Sequence, residues 1–425
     1  MSQLQRTELA GGAYFNSVQD SRFKTVLIEA NLIVPLSADT ASANALLTYV
    51  MSRSCRAYPT YRSLCRKLSA LYGAELSVSL GKAGDRQILS FTLTGLDDRY
   101  ALDGESIAAQ LSELLCQMLF EPNVKDNSFL PSETDQGKRE LLDLIDSEFN
   151  EKRVYAIGQT VSAMCKDEVF GVRRYGTAEG VREQTPQSLY DTWKNVLRTA
   201  DLEIIFVGDS QPDKAASVFA KAFANIQRDP VEITTQFVAK ADKVTRVSEE
   251  MDVSQAKLVM GFRGGRALPD KQVIASQLMA AVLGGTATSK LFCNVREKQS
   301  LCYYCAARYD KHKGIMMIDS GVEGDNIQKL ESGIMHEIED MQNGNITDFE
   351  LEATKLAVIN AYYSSNDTVR GIGSWYMNQI FDGEIRSIEE MAKRIKAVTK
   401  EEVVEAAKLL SLDTVYVLKN KGDAQ

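Results

Sequence analysis

Hydrophobic residues along the chain fall by turns into strand-like and helix-like periods. Thr25–Pro35 is densely apolar and partly alternating, and Pro35 closes it, which predicts a strand. Asn44–Met51 and Tyr61–Leu71 carry apolar residues at helical spacing. Glu75–Leu80 and Gln87–Leu93 alternate with period two around the turn Gly81–Asp85, which predicts a hairpin. A helix follows over Ser106–Leu119, where Ile107, Leu111, Leu114, Leu115 and Met118 make one stripe, and further helical pattern fills Gly137–Val169. A helix at Gln187–Leu197 and a buried strand at Leu202–Val207 close this stretch.

The same order then recurs. After a polar segment, Gln227–Asp252, that holds Pro230 and reads as a linker, Ala256–Phe262 predicts a strand and Gln272–Leu283 a helix. Ser289–Glu297 is a second, short helix. Leu301–Tyr309 and Ile315–Val322 form a hairpin around Lys311–Gly314, and Ile327–Met341 is helical through Leu330, Ile334 and Ile338. Helix Glu401–Leu410 and strand Thr414–Leu418 end the second half as Gln187–Leu197 and Leu202–Val207 end the first. A repeat of roughly 200 residues is too long for a solenoid. It predicts an α+β protein of two homologous domains, each an antiparallel-rich sheet packed with helices: residues 1–228, a linker at 229–252, and residues 253–425.

Composition narrows the chemistry. The chain has 425 residues, 44% of them apolar and 25% charged, an ordinary globular profile with room for two or three domains. With 49 basic against 58 acidic residues and a net charge of −9, it lacks the cationic surface of a phosphate-backbone binder, so no nucleic-acid partner is expected. Only two histidines occur, His312 and His336, 24 positions apart, so no short His-based metal motif exists. Seven scattered cysteines read as reduced thiols. The N-terminal residues show no secretory apolar region, and no apolar run approaches the roughly 20 residues of a membrane span. A cytoplasmic location without a membrane partner is the expectation.

Several motif-like stretches fail on physical grounds. Cys302-Tyr303-Tyr304-Cys305 has redox-motif spacing but lies on a predicted strand, away from the helix terminus that lowers a thiol pKa. On a regular strand its two thiols point to opposite faces. His336-Glu337-Ile338-Glu339-Asp340 opens like a zinc-protease helix but has no second His, and reads as a solvated helix face. Gly284-Gly285-Thr286-Ala287-Thr288-Ser289-Lys290 places Lys after Ser, the reverse of a phosphate loop, and reads as a helix stop followed by an N-cap at Thr288 or Ser289.

Leu283 to Tyr303 carries more. Its short helix turns Leu291, Phe292 and Val295 inward, Arg296 lies at the helix end, and Tyr303 sits on the next strand. A guanidinium and a phenol presented together can hold a peptide carbonyl and stabilise a developing oxyanion. The plainer alternative is an Arg balancing a helix dipole beside a half-buried Tyr.

The segment LGG-x-x-x-S-K-L-F-x-x-V-R-E-K-x-x-L-x-Y resembles the C-terminal domain of M16 peptidases, the insulinase and mitochondrial processing peptidase family, and so do the turn Asn343–Thr347 and the helix with Glu350 and Leu351. The resemblance covers nearly the whole chain and implies two M16-type (LuxS/MPP-like) domains. It also implies that Arg296 and Tyr303 are the family's substrate-binding pair. The family's zinc motif, His-x-x-Glu-His, corresponds to Ala45, Thr48 and Tyr49 within Ala45-Leu46-Leu47-Thr48-Tyr49, and its third ligand falls near Leu144-Ile145, with Glu140 and Glu148 close by. None of the aligned residues serves zinc or activates water well. The resemblance therefore implies a non-catalytic subunit with no metal of its own. A zinc-bearing M16 partner would activate the water while Arg296 and Tyr303 bind the peptide or unfolded substrate in trans. Among bacterial non-catalytic members, the chain is similar to proteins associated with modification of elongation factor P; others serve bacteriocin maturation. In isolation the chain could form a homodimer; a scaffold without a role in proteolysis and a peptidase active alone with an unusual metal site are the alternative functions.

Overall fold

The computed structural model describes residues 4–224 and 226–421. The chain forms two compact units, one of Met1–Asp146, Val172–Thr234 and Ser365–Phe381, the other of Ser147–Gly171, Thr235–Ser364 and Asp382–Gln425. Each unit therefore draws on both halves of the chain.

The first unit contains strands β1 (Gln5–Ala10), β2 (Ala13–Gln19), β3 (Thr25–Pro35), β4 (Glu75–Ala83), β5 (Arg86–Leu96) and β8 (Asp201–Gly208), with a two-residue pair, β6 (Val124–Lys125) and β7 (Ser128–Phe129), set apart. The six long strands form one sheet in the order β1-β2-β8-β3-β5-β4. All neighbours are antiparallel except β2 and β8. β1 and β2 are absent from the pattern reading for a physical reason. β1 is an exposed edge, and the apolar run of β2 is broken by the buried Asn16. The Asn16 amide donates to Glu203 on β8 at 2.7 Å, and Arg6 donates to the same carboxylate through two bonds of 2.8 and 2.7 Å. Burial pushes the Glu203 carboxyl above its ordinary value, against the pull of Arg6 and Asn16. Partners nearly 190 residues away make a polar strand tolerable.

The second unit contains β9 (Thr245–Met251), β10 (Ala256–Arg263), β11 (Cys302–Asp310), β12 (Ile315–Val322) and β13 (Ser411–Asn420), ordered β11-β12-β10-β13-β9. Strand for strand this repeats β4-β5-β3-β8-β2, down to the single parallel pair, here β13 with β9. The repeat read from the order of elements is a repeat of topology. Part of the segment read as a linker is not a connector, since Thr245–Met251 is β9. Its alternation is masked because Glu249 takes an inward position, where it accepts hydrogen bonds from the hydroxyls of Tyr155, at 2.9 Å, and Tyr416.

One face of each sheet rests on its own half's helices. In the first unit Ala41–Met51, Ile107–Phe120, Pro186–Thr199 and Pro212–Phe223 pack there. The other face is covered by a helix from the opposite half of the chain. Val369–Phe381 lays Ile372, Tyr376 and Met377 on Leu27, Ile205 and Val207. In the second unit Lys152–Met164 lays Ala156 against Val259, Tyr416 and Leu418. There Met164 comes so near Gly261 that a Cβ on the glycine would sit 2.8 Å from its sulfur. The helical pattern over Gly137–Val169 is thus two helices, Pro131–Asn150 and Lys152–Met164, which belong mainly to different units.

Beside this exchanged helix Arg263 pairs with Glu168 and Asp413, each at 2.7 Å, and Lys313, with no exposed surface, pairs with Glu168 at 3.0 Å. Such a network is costly to desolvate, but every member is balanced by a partner.

Candidate functional site

The LGG-to-Tyr segment builds a rigid turn. Helix Val273–Gly284 ends against β11 so closely that a Cβ on Gly284 would lie 2.7 Å from the Ala307 backbone nitrogen, which accounts for the glycine. Residues Leu291–Lys298 then form a π-helix, with Leu291 and Val295 in the core. The proposed N-cap does not form: the Ser289 hydroxyl donates to the Thr286 carbonyl at 2.6 Å, and Lys290 at the cap position makes no side-chain cap bond. Two buried polar contacts fix the helix instead. Lys290 pairs with Glu350 at 3.1 Å, and the Asn294 amide donates to Glu337 at 2.8 Å. Burial raises the Glu350 carboxyl, but hydrogen bonds from Thr347 and the pairing with Lys290 outweigh it and hold it below the ordinary value. Glu337 is only 3% exposed, so the face read as solvated is split: His336 lies outside and Glu337 anchors the turn.

After the helix, Ser300 adopts a left-handed conformation with φ of 50° and leads into β11. The β11–β12 register slips between Cys302 and Tyr304, so Tyr303 is a bulge residue. A bulge bends the strand and reverses the parity of the side chains beyond it. Tyr303 is thereby left 52% exposed, and Cys302 and Cys305 both face the core, contrary to the opposite-face expectation for a regular strand. A hydrogen bond from Cys305 pulls the Cys302 thiol below its ordinary value, which marks the contact between them.

The turn brings Arg296 and Tyr303 together. The Arg296 Nε donates to the Tyr303 carbonyl at 2.9 Å, its Nη1 lies 3.2 Å from Glu297, and its guanidinium stands over the Phe292 ring at 4.7 Å. Among the described residues, Nη2 has no partner. The Tyr303 hydroxyl donates to Glu323 at the end of β12, and that carboxylate raises the phenol above its ordinary value. Both groups open on a cavity of about 370 Å³, also lined by Ser300, Leu301 and Asn326. The cavity is large enough for a few residues of extended peptide, with a cationic donor and a phenol on one wall. Glu323 is the member that sequence reading missed. It lies 20 residues from Tyr303 across a hairpin, and no spacing rule links them.

The other candidate positions look different. Ala45 and Thr48 are buried in the helix Ala41–Met51, and Tyr49 packs partly against the same core. The Thr48 hydroxyl donates to the Asn44 carbonyl at 3.1 Å, and the Asn44 amide to Gln87 at 3.0 Å. Leu144 and Ile145 pack on that core, and Glu140 is held by Arg53 at 2.6 Å. This donor set does not fit a zinc ion. Among the described residues no group of three His, Cys, Asp or Glu side chains could hold a metal, and no helix is long and apolar enough to cross a membrane. All seven cysteines are free.

Comparison with known proteins makes this pair of repeated α+β units an inactive peptidase homologue. The family model for the peptidase M16 inactive domain matches residues 184–358. The chain is 30% identical to a probable inactive metalloprotease, YmfF, of Bacillus subtilis (strain 168), over 97% of each chain. The chain belongs to the M16 family. Among solved structures, a conserved protein of Enterococcus faecalis V583 superimposes with a TM-score of 0.91 at 24% identity, covering 100% of both chains. A peptidase M16 inactive domain from Pseudomonas fluorescens gives 0.78 at 18%, again covering 100% of both. These two speak for the fold.

Proposed function

We propose that the chain is the non-catalytic, substrate-binding subunit of a two-chain M16 peptidase. Its partner carries the zinc, and this chain contributes Arg296 and Tyr303 in trans to the carbonyl of a bound peptide. The observation that carries the reading is the contrast in exposure. The pair stands on a cavity wall with the Arg296 Nη2 open, while the turn beneath is anchored by buried contacts at Glu337 and Glu350. A fixed guanidinium edge can donate to a carbonyl without reorganising, the condition under which such donors are most effective. The phenol is the second donor once its hydroxyl is released.

The test is to combine the chain with a zinc-bearing M16 partner and measure peptide cleavage for Arg296→Ala and Tyr303→Phe. Each substitution is expected to lower turnover by about 100-fold, the usual effect of losing one oxyanion donor. Full activity in both variants would sink the assignment. A partner that co-purifies while its turnover ignores this chain would favour a scaffold.

A further inference from the structure

The two donors assigned to the carbonyl are not equally available. Arg296 has the free Nη2 edge, but Tyr303 has one hydroxyl hydrogen, and Glu323 receives it. While that bond stands, Tyr303 can accept a hydrogen bond from the cavity and cannot give one. Glu323 has no evident duty in the fold. It is exposed and precedes the turn Gly324–Asn326 without making a side-chain cap bond. Among the described residues it has no Lys, Arg or His partner, whereas the neighbouring Glu297 is neutralised by Arg296. The cavity therefore holds one open guanidinium edge and, across the phenol, one carboxylate whose charge is unmet.

From this we infer that Glu323 is the specificity-determining residue of the pocket and selects peptides with a lysine or arginine beside the carbonyl held by Arg296. The inference rests on the reading of Arg296 and Tyr303 as a carbonyl-binding pair. The basic side chain takes the carboxylate in an ion pair, a stronger partner for it than a neutral phenol. Tyr303 is thereby released to turn its hydroxyl onto the carbonyl. A peptide without the cation meets a pocket whose phenol is still engaged and whose carboxylate is left facing an apolar side chain, which is discrimination by mismatch as much as by attraction.

Binding to the full chain decides it, using fluorophore-labelled extended peptides followed by anisotropy at low salt. The peptides are acetylated at the N-terminus, to remove the other cation, and differ only in lysine against norleucine. The wild type is expected to bind the lysine peptide about three- to fivefold more tightly, the reach of an exposed ion pair, and Glu323→Gln to bind both alike. Equal binding by the wild type, or a preference that survives in Glu323→Gln, overturns the inference. Arg296→Ala separates it from the reading beneath: a uniform loss for both peptides supports the carbonyl contact, and unchanged affinity for both removes that contact while the lysine preference still reports on Glu323.

Discussion

The helix Ala41–Met51 and the turn Leu291–Tyr303, one in each repeat of the same topology, treat their polar side chains in opposite ways. On the helix, the polar positions have been absorbed into packing. Ala45 carries no polar group, and Thr48, 1% exposed, spends its hydroxyl on its own helix. On the turn, the polar side chains are presented: Arg296 is 38% exposed, and Tyr303 stands outward at a bulge. A surface that had lost all use for the pair would be expected to drift toward the first condition. This difference in exposure is what the proposed substrate-holding role draws on.

Substitution can break or sharpen this comparison. The largest effect is expected from Thr48→Glu, which puts a carboxylate on a buried helix face. An unpaired buried charge costs about 3–5 kcal/mol, so the urea midpoint should fall steeply. A change below about 1 kcal/mol would mean that the helix face is open to water and the contrast overstated. Lys290→Met comes next. It leaves Glu350 without its cation and should cost about 1–3 kcal/mol. The sign with pH follows from the lowered Glu350 carboxyl. Its contribution is complete above the ordinary value of 4.5 and is lost as pH falls through the lower folded value. Acid unfolding of the wild type should therefore show a slope that Lys290→Met flattens, and parallel curves would show that the pair does not hold the turn. The smallest effect is expected from Arg296→Ala and Tyr303→Phe on stability alone, within about 0.5 kcal/mol by thermal melting, because exposed groups of this kind support little structure. A large loss in either would recast the pair as part of the framework.

Much of this was legible in the chain itself, and the failures share a cause. Dense apolar strands such as Thr25–Pro35 and Ala256–Phe262, and the order of elements around them, are visible because burial on both faces leaves a continuous hydrophobic run. β2 and β9 are not, since Asn16 and Glu249 occupy inward positions that become acceptable only with partners far off in sequence. The exchanged helix Lys152–Met164 falls within the helical pattern of Gly137–Val169, but an amphipathic stripe does not name the sheet it will cover. Arg296 and Tyr303 are legible because a helix end and the next strand fix them locally. The orientation of Cys302 and Cys305 is not, because one inserted residue in the pairing with β12 reverses the face, and that insertion is a property of two strands together. Glu323 was missed for the same reason.

The exchange of helices bears on how the protein is made. The sheet of the first unit has its last strand once Gly208 has been synthesised, yet its second face waits for Val369–Phe381. At the usual pace of translation that interval is on the order of ten seconds or more. Throughout it Leu27, Ile205 and Val207 stand uncovered on a nascent chain, a surface suited to chaperones and to aggregation alike. A fragment ending between the two halves would keep that patch for good, so the first half made alone should be far less soluble than the whole chain.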